Sequence, residues 1–375
     1  MGNGKGQWRI WRRVILEWMP RIEIVDGREF FSHRASSVLL DFRQLVNECK
    51  HSTPFQTLEW LSTLSTVKRG NFKMVLAYEG EELVAAYPMR SSFGVWGTVR
   101  PYGIGPSDYL APLYRSEDGL KAVGEFLIES SGDRLVDMHQ IPSDHPFASL
   151  WELEKGIEQA RCLVLDLPTS FETYVTGLSK SLRYDVRRID GKALRERNAS
   201  VIWMDVSNQS SFVDTFFELH KARWKSRGLP GAFLGSSERF QRAWMSNPEH
   251  LGMLRVNMLV AEGKPIGVVY GMKLGTTMYF YQAGMDPDAS ALSPGTVLVA
   301  KLIDRAIEEG CTVFDFMRGD EPYKRRWKPN RERINYRILL AQKSPLATVG
   351  KVWNEQAWRI EDKIRDRVEG KSLKK

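Results

Sequence analysis

The stretch from Met278 to Trp327 limits what this 375-residue chain can fold into more than any other. Its pattern predicts a strand over 278–283, a Pro/Gly-punctuated loop, a helix opening at Ser293-Pro294-Gly295-Thr296, and a second strand over 312–316. An Arg-Gly-Asp-Glu-Pro-Tyr-Lys-Arg-Arg-Trp cluster follows directly. Strand, helix and strand in this order make a βαβ unit, in which a crossover helix joins two parallel strands. Such a pair exposes helix N-terminal amides at the carboxyl ends of its strands, where open α/β sheets bind ligands and the field favours anions. The ligand expected there carries phosphate or carboxylate.

The second constraint is repetition. VLAYEGEELVAAYPM (75–89) and LVAEGKPIGVVYGM (259–272) both read as β-hairpins, turning at Glu79-Gly80 and Glu262-Gly263. Tyr102-Gly103 then leads through Asp108 to an apolar helix pattern (Leu120, Val123, Phe126, Leu127) and a strand around Asp137. Ala283-Gly284 leads through Asp286 to a helix with Val297, Leu298, Leu302 and Ile303, and a strand around Asp315. Recurrence at an offset of roughly 180 residues predicts a duplication. Between the halves, Phe171 to Arg197 is predicted helical, and Lys180, Arg183, Arg187, Arg188, Lys192, Arg195 and Arg197 give it a cationic face. A boundary is expected near Leu167-Pro168-Thr169-Ser170. The organisation expected is a basic, aromatic segment (1–34), two α/β domains (35–167 and 168–345) and a C-terminal helix (346–375).

With 42% hydrophobic and 27% charged residues, the chain has material for packed cores and is not globally disordered. It has no apolar run long enough for a bilayer, and its Trp/Arg-rich start (Trp8, Trp11, Arg12, Arg13, Trp18) lacks the apolar centre of a signal peptide. The expectation is a cytoplasmic protein, with a membrane surface as a minor partner through that segment. The three cysteines show no CxxC spacing and the six histidines no metal spacing, so no metal is expected. A net charge of +8 suits a phosphate-bearing partner without separating a coenzyme from a nucleotide sugar or RNA.

The order strand, helix, hairpin, strand, loop-helix, strand over 201–316 resembles the GNAT N-acyltransferase fold. The phrases LHKARWKSRGLPGAF, SPGTVL and FDFMRGDEPYKRRW, with TPFQTLEWL, Ser107-Asp108-Tyr109 and LSKSLRYDVRR, resemble the bacterial CelD-type branch of GNAT-like proteins. That branch is related to the FemABX-like transferases, and the likeness runs from about residue 35 to 342. The resemblance implies an α/β (α+β) fold of two tandem GNAT-like domains, each a mixed central sheet flanked by helices. It further implies an acyltransferase moving an acyl group, above all acetyl, from acyl-coenzyme A to an amine or hydroxyl of a polar acceptor, in cell-surface polysaccharide or cell-wall synthesis. Acetyl-CoA or another acyl-CoA would be the donor substrate. Fem-type relatives imply an alternative, an aminoacyl-tRNA-dependent transferase with tRNA as partner, and a third reading is a non-catalytic protein that kept the fold. One departure stands out: typical GNAT enzymes lay a Gln/Arg-x-x-Gly-x-Gly/Ala loop on the pyrophosphate, whereas here Gly295 is alone and follows Pro294.

Acyl transfer needs donors to hold a carbonyl and phosphates, and proton-handling groups beside the acceptor and the leaving sulfur. Ser293, Gly295 and Thr296 at the helix start, with Arg318, Lys324 and Arg325, are the candidates for holding the donor. Lys324 is also a candidate for polarising the transferred carbonyl. The Tyr281 phenol could protonate a leaving thiolate or be a core aromatic, and Asp108 could be a base, an acceptor-binding carboxylate or a turn cap. His220 and Trp224, on the helix predicted over 211–225, are acceptor candidates. Asp315 completes that group, either facing the ligand or pairing with a cation such as Arg318.

Overall fold

The computed structural model describes residues 20–372 except 33–36, 68–71, 93–96, 152–155, 188–194, 196, 227, 229, 230, 232 and 234. The Trp/Arg-rich start and residues 188–194 of the predicted basic helix lie outside the described residues. The chain divides into two compact units, one of residues 1–58, 69–159 and 335–370 and the other of 59–68, 160–334 and 371–375. This division differs from the expected 167/168 and 345/346 boundaries, because 59–68 and 160–167 are counted with the second unit and 335–370 with the first.

In the first unit, strands β1 (Arg21–Asp26), β2 (Phe72–Glu79), β3 (Glu82–Ser91), β4 (Val99–Pro101), β6 (Val136–Pro142) and the end of β13 (Arg331–Leu340) lie side by side in that order. A two-residue strand, β5 (Leu113–Tyr114), pairs with β3 outside that path. Strands β4 and β6 are parallel, and the other pairings are antiparallel. Helices α1 (Gly27–Ser32), α2 (Ser37–Glu48), α4 (Glu117–Ser130), α5 (Pro146–Ser149) and most of α12 (Pro345–Ser372) complete it. Val84, Tyr87, Val123, Leu127, Val136, Met138 and Phe147 share its buried core.

The second unit has the strand order β7 (Ile157–Asp166), β12 (Val313–Arg318), β11 (Thr277–Met285), β10 (Lys264–Leu274), β9 (Leu254–Ala261) and β8 (Ser200–Trp203). The predicted parallel pair is present, with Thr277 opposite Val313 and Tyr279 opposite Asp315. The β9–β10 hairpin turns at Glu262 (φ 51°) and Gly263 (φ 75°), two left-handed residues in a row, as a hairpin turn matched to strand twist requires. Strand alternation sends Val269 to one face, where Leu298 and Leu302 of helix α10 (Pro294–Glu308) cover it with Leu259, Phe280 and Phe314. Tyr270 goes to the other face, its ring centroid 5.8 Å from Phe216 of helix α8 (Gln209–Ser226). Helix α3 (Leu58–Val67) belongs here through Trp60, whose ring lies edge-on to Phe240 at 4.7 Å and Trp244 at 4.9 Å, both on α9 (Ser236–Ser246). Each unit is therefore a mixed sheet flanked by helices, the fold class expected.

One close approach sets the site. A Cβ on Gly284 of β11 would stand 2.6 Å from the His220 amide nitrogen and 3.0 Å from the Phe216 carbonyl oxygen. Helix α8 lies backbone-to-backbone on that strand because residue 284 has no side chain. This contact carries Arg223 to the strand end.

Candidate functional site

A cavity of about 400 Å³ opens at the carboxyl end of β11 in the second unit. Its floor is apolar, from Phe280, Ala283, Met285 and Val299, with Trp327 at the side. Polar groups come from four places: Arg223 and Ser226 on α8, the turn from Asp286 to Ser290, the α10 start at Ser293 to Thr296, and Tyr323 and Arg326 around α11 (Pro322–Arg325).

The α10 start meets the expectation in place and corrects it in number. Ser293 sits in the left-handed region (φ 48°, ψ 51°) and its side chain caps nothing, and no acidic residue occupies the first turn. Pro294 has no amide hydrogen, and the Thr296 and Val297 amides donate to the Ser293 carbonyl at 2.9 and 3.2 Å. The open donor of that turn is thus the Gly295 N–H, one amide rather than a row, supported by the positive end of a 15-residue helix. A Cβ on Gly295 would meet the end of the Met285 side chain, its methyl at 3.3 Å and its sulfur at 3.9 Å, so this glycine is not forced by its backbone.

Cations supply what the missing amides do not. Arg223 lines the cavity and donates to the Ala283 carbonyl at 3.3 Å. Arg326 lines it from the other side and pairs with Asp185 of α7 (Lys180–Arg187) at 2.9 Å. Asp286 adds a carboxylate, which caps its own turn by accepting the Asp288 amide at 3.0 Å.

The three cations expected at the donor, Arg318, Lys324 and Arg325, are not among the residues that line the cavity. Helix α11 is a single turn, so residues three and four apart share a face. Tyr323, Arg326 and Trp327 form the cavity face. Lys324 is 3% exposed and its ammonium donates to the carbonyls of Arg318 (2.6 Å) and Gly319 (3.2 Å), 2.9 Å from the Glu321 carboxylate. Arg325 pairs with Asp320 and, at 2.9 Å, with Glu332. Arg318 is outside the cavity lining, its carbonyl taken by Lys324.

The remaining candidates sit elsewhere. Asp315 is buried and accepts the Met317 amide at 2.7 Å and Arg333 at 3.2 Å, bracing a left-handed Met317 (φ 60°). Phe314 and Phe316 on either side are also buried, so the strand is covered on both faces. The Tyr281 hydroxyl accepts from Gln241 at 2.8 Å inside an aromatic group with Trp60 and Tyr270. His220 is buried, and its Nε2 accepts from Trp224 Nε1 at 2.9 Å, which puts the imidazole proton on Nδ1. Burial, then the Arg223 charge, push its pKa down to about 4. Asp108 belongs to the first unit, where its carbonyl accepts from Asn335 at 2.7 Å.

Ser293, Gly295 and Thr296, with Arg326 of the cationic run after the second strand, are therefore the sequence-selected residues that line the cavity, and Arg223, Asp286 and Tyr323 join them without having been donor candidates. Helical spacing in Tyr-Lys-Arg-Arg-Trp was the available signal, since it separates 323, 326 and 327 from 324 and 325. Among the described residues, no cluster of His, Cys, Asp or Glu could hold a metal, and no helix is long and apolar enough to cross a membrane.

Residues 180–325 match the family described as "Acetyltransferase (GNAT) domain". None of the curated proteins matches the sequence. Among solved structures, FemX is similar over 83% of this chain and 98% of its own, with a TM-score of 0.60 and 10% identity. A conserved protein of unknown function from Bacteroides thetaiotaomicron VPI-5482 gives 0.54 and 14% identity over 80% of this chain and 97% of its own. The C-terminal domain of a candidate lysylphosphatidylglycerol synthetase from Agrobacterium fabrum gives 0.53 and 12% over 83% and 93%. At such identities the structures speak for the fold alone, and the domain match supplies the class. The segment that builds most of the cavity thus matches a GNAT acetyltransferase domain, which makes acyl transfer the class of chemistry for that unit, and the fold over most of the chain is similar to that of FemX.

Proposed function

We propose that the chain transfers an acyl group, acetyl being the simplest, from acyl-coenzyme A to an amine or hydroxyl of a polar acceptor. The observation that carries this is the convergence of an uncapped helix start, Arg223 and Arg326 on one largely apolar cavity. Cations and a helix N-terminus suit the phosphates of such a donor. The wall of Phe280, Met285 and Val299 suits an uncharged pantetheine arm.

In this reading the acceptor lone pair attacks the thioester carbonyl carbon, and the carbon–sulfur bond breaks as the new amide or ester bond forms. Sulfur leaves as a thiolate and needs a proton. Tyr323, the phenol on the cavity wall, is the group proposed to give it, and the acceptor loses its own proton to solvent or to a carboxylate such as Asp286. Lys324, Arg325, Asp315 and Arg318 act as the frame of the α11 turn. Asp108, Tyr281, His220 and Trp224 have no direct part in donor binding. Cell-surface polysaccharide or cell-wall precursors remain the proposed source of the acceptor.

Isothermal titration with acetyl-coenzyme A at two salt concentrations tests the donor. Micromolar binding with a shallow salt dependence supports it. Binding of tRNA instead, with affinity falling steeply in salt, would replace it with the aminoacyl-tRNA reading.

A further inference from the structure

Helix α7 carries Lys180, Arg183 and Arg187, and Asp185 is the acidic side chain among its eight residues. That carboxylate meets Arg326, an arginine of the cavity wall, at 2.9 Å. Both partners are partly exposed, Asp185 at 31% and Arg326 at 46% of the side chain. The helix itself is anchored, because Leu182 and Val186 are buried in the core that contains Leu298 and Trp327. Asp185 is thus held in place beside the cavity on an otherwise cationic helix.

Resting on the donor reading above, we propose that Asp185 is a resident counter-ion for Arg326, which the donor's phosphates displace, and that it sets the affinity of the site for anions. A guanidinium binds a phosphate through two parallel hydrogen bonds, and a carboxylate of similar geometry competes for the same fork. The empty site then holds a neutralised pair. A small anion must break that pair with polar contacts alone to hold it, whereas a donor with a pantetheine arm brings apolar contacts with Phe280, Met285 and Val299 as well. Selection against stray anions follows, at the cost of weaker binding for every phosphate-bearing ligand.

The test is titration of coenzyme A, pantetheine and inorganic pyrophosphate into wild type, Asp185→Asn, Arg326→Ala and the double variant. Asp185→Asn should tighten coenzyme A and pyrophosphate about two- to fivefold, the size expected of a partly exposed ion pair, and leave pantetheine unchanged. In the Arg326→Ala background the gain should vanish. No tightening in Asp185→Asn overturns the proposal. A gain that survives removal of Arg326 also overturns it, since Asp185 would then act as a diffuse field. If pyrophosphate follows the expected pattern and coenzyme A binds no variant, the counter-ion stands and the coenzyme reading falls. If pyrophosphate binds none of the four proteins, the counter-ion falls.

Discussion

Helices α4 and α10 hold corresponding places in the two halves of the chain, each entered from the loop that follows a strand after the hairpin, and their first turns differ in charge. At α4, Ser116 accepts the Gly119 amide at 2.9 Å, and Glu117 and Asp118 fill the first turn. The capping oxygen and two carboxylates satisfy the positive end of that helix from within the protein. At α10, Ser293 caps nothing, Pro294 takes the first position, and no acid follows. A duplicated scaffold can keep its hairpins and crossovers while a handful of side chains decides which copy is left open to an anion.

The backbone shows the same divergence, and it gives the largest effect to look for. Gly284→Ala places a methyl 2.6 Å from the His220 amide nitrogen and should cost about 3 kcal/mol in urea unfolding. Gly119→Ala in the first unit meets side-chain rather than backbone atoms, the Val84 Cγ2 methyl at 2.7 Å and the Val84 and Ala85 β-carbons at 3.2 and 3.3 Å, and with the better helix propensity of alanine offsetting part of the crowding should cost about 1–2 kcal/mol. Equal costs would break the contrast between the two packings.

Tyr323→Phe should lower turnover about 100-fold and leave donor affinity unchanged, because it removes a proton without removing the ring. Unchanged turnover would take Tyr323 out of the mechanism. Lys324→Ala should lower stability by about 2 kcal/mol, since the Arg318 and Gly319 carbonyls lose a charged donor, with weaker donor binding as a consequence. Loss of affinity at full stability would return Lys324 to the cavity.

Smaller effects sharpen the comparison of the helix starts. Ser116→Ala should cost about 1 kcal/mol through the lost cap, whereas Ser293→Gly should stabilise by about 0.5 kcal/mol by relieving a left-handed serine. The same sign for both would mean the two starts are equivalent after all. Smallest near neutrality is the pH effect of His220. Its folded pKa, about 4, lies below the unfolded value, so the unfolded chain binds the proton first. Stability from this group is complete above about pH 6.5 and falls as pH drops toward 4. In His220→Gln the unfolding free energy should lose that part of its slope.

Much of the fold was legible because hairpins and βαβ units are written in local patterns. Glu262-Gly263 announces its turn, and Ser293-Pro294-Gly295 announces its helix. The site was legible only in part. Gly295 and Thr296 were found because a helix start is a local feature. The cationic run 324–326 pointed to the right turn, but charge alone does not say which side of a one-turn helix meets the cavity, and Arg326 with the uncharged Tyr323 lines it rather than Lys324 and Arg325. Arg223 is distant in sequence from that turn, and a helix resting on Gly284 brings it there.

By itself, the sequence determined the order of strands and helices, the repeat, the left-handed hairpin turn and the place where a helix opens without a cap. These depend on backbone preferences and on the two- and 3.6-residue periods within a few neighbours. Only the tertiary structure decided that 59–68 joins the second unit, that Asp315 is braced by Arg333, and that Arg326 is turned to the cavity with Asp185 as its partner. Such pairings join residues far apart along the chain, and packing, which fixes each element against the next, selects among faces that local periodicity leaves equivalent.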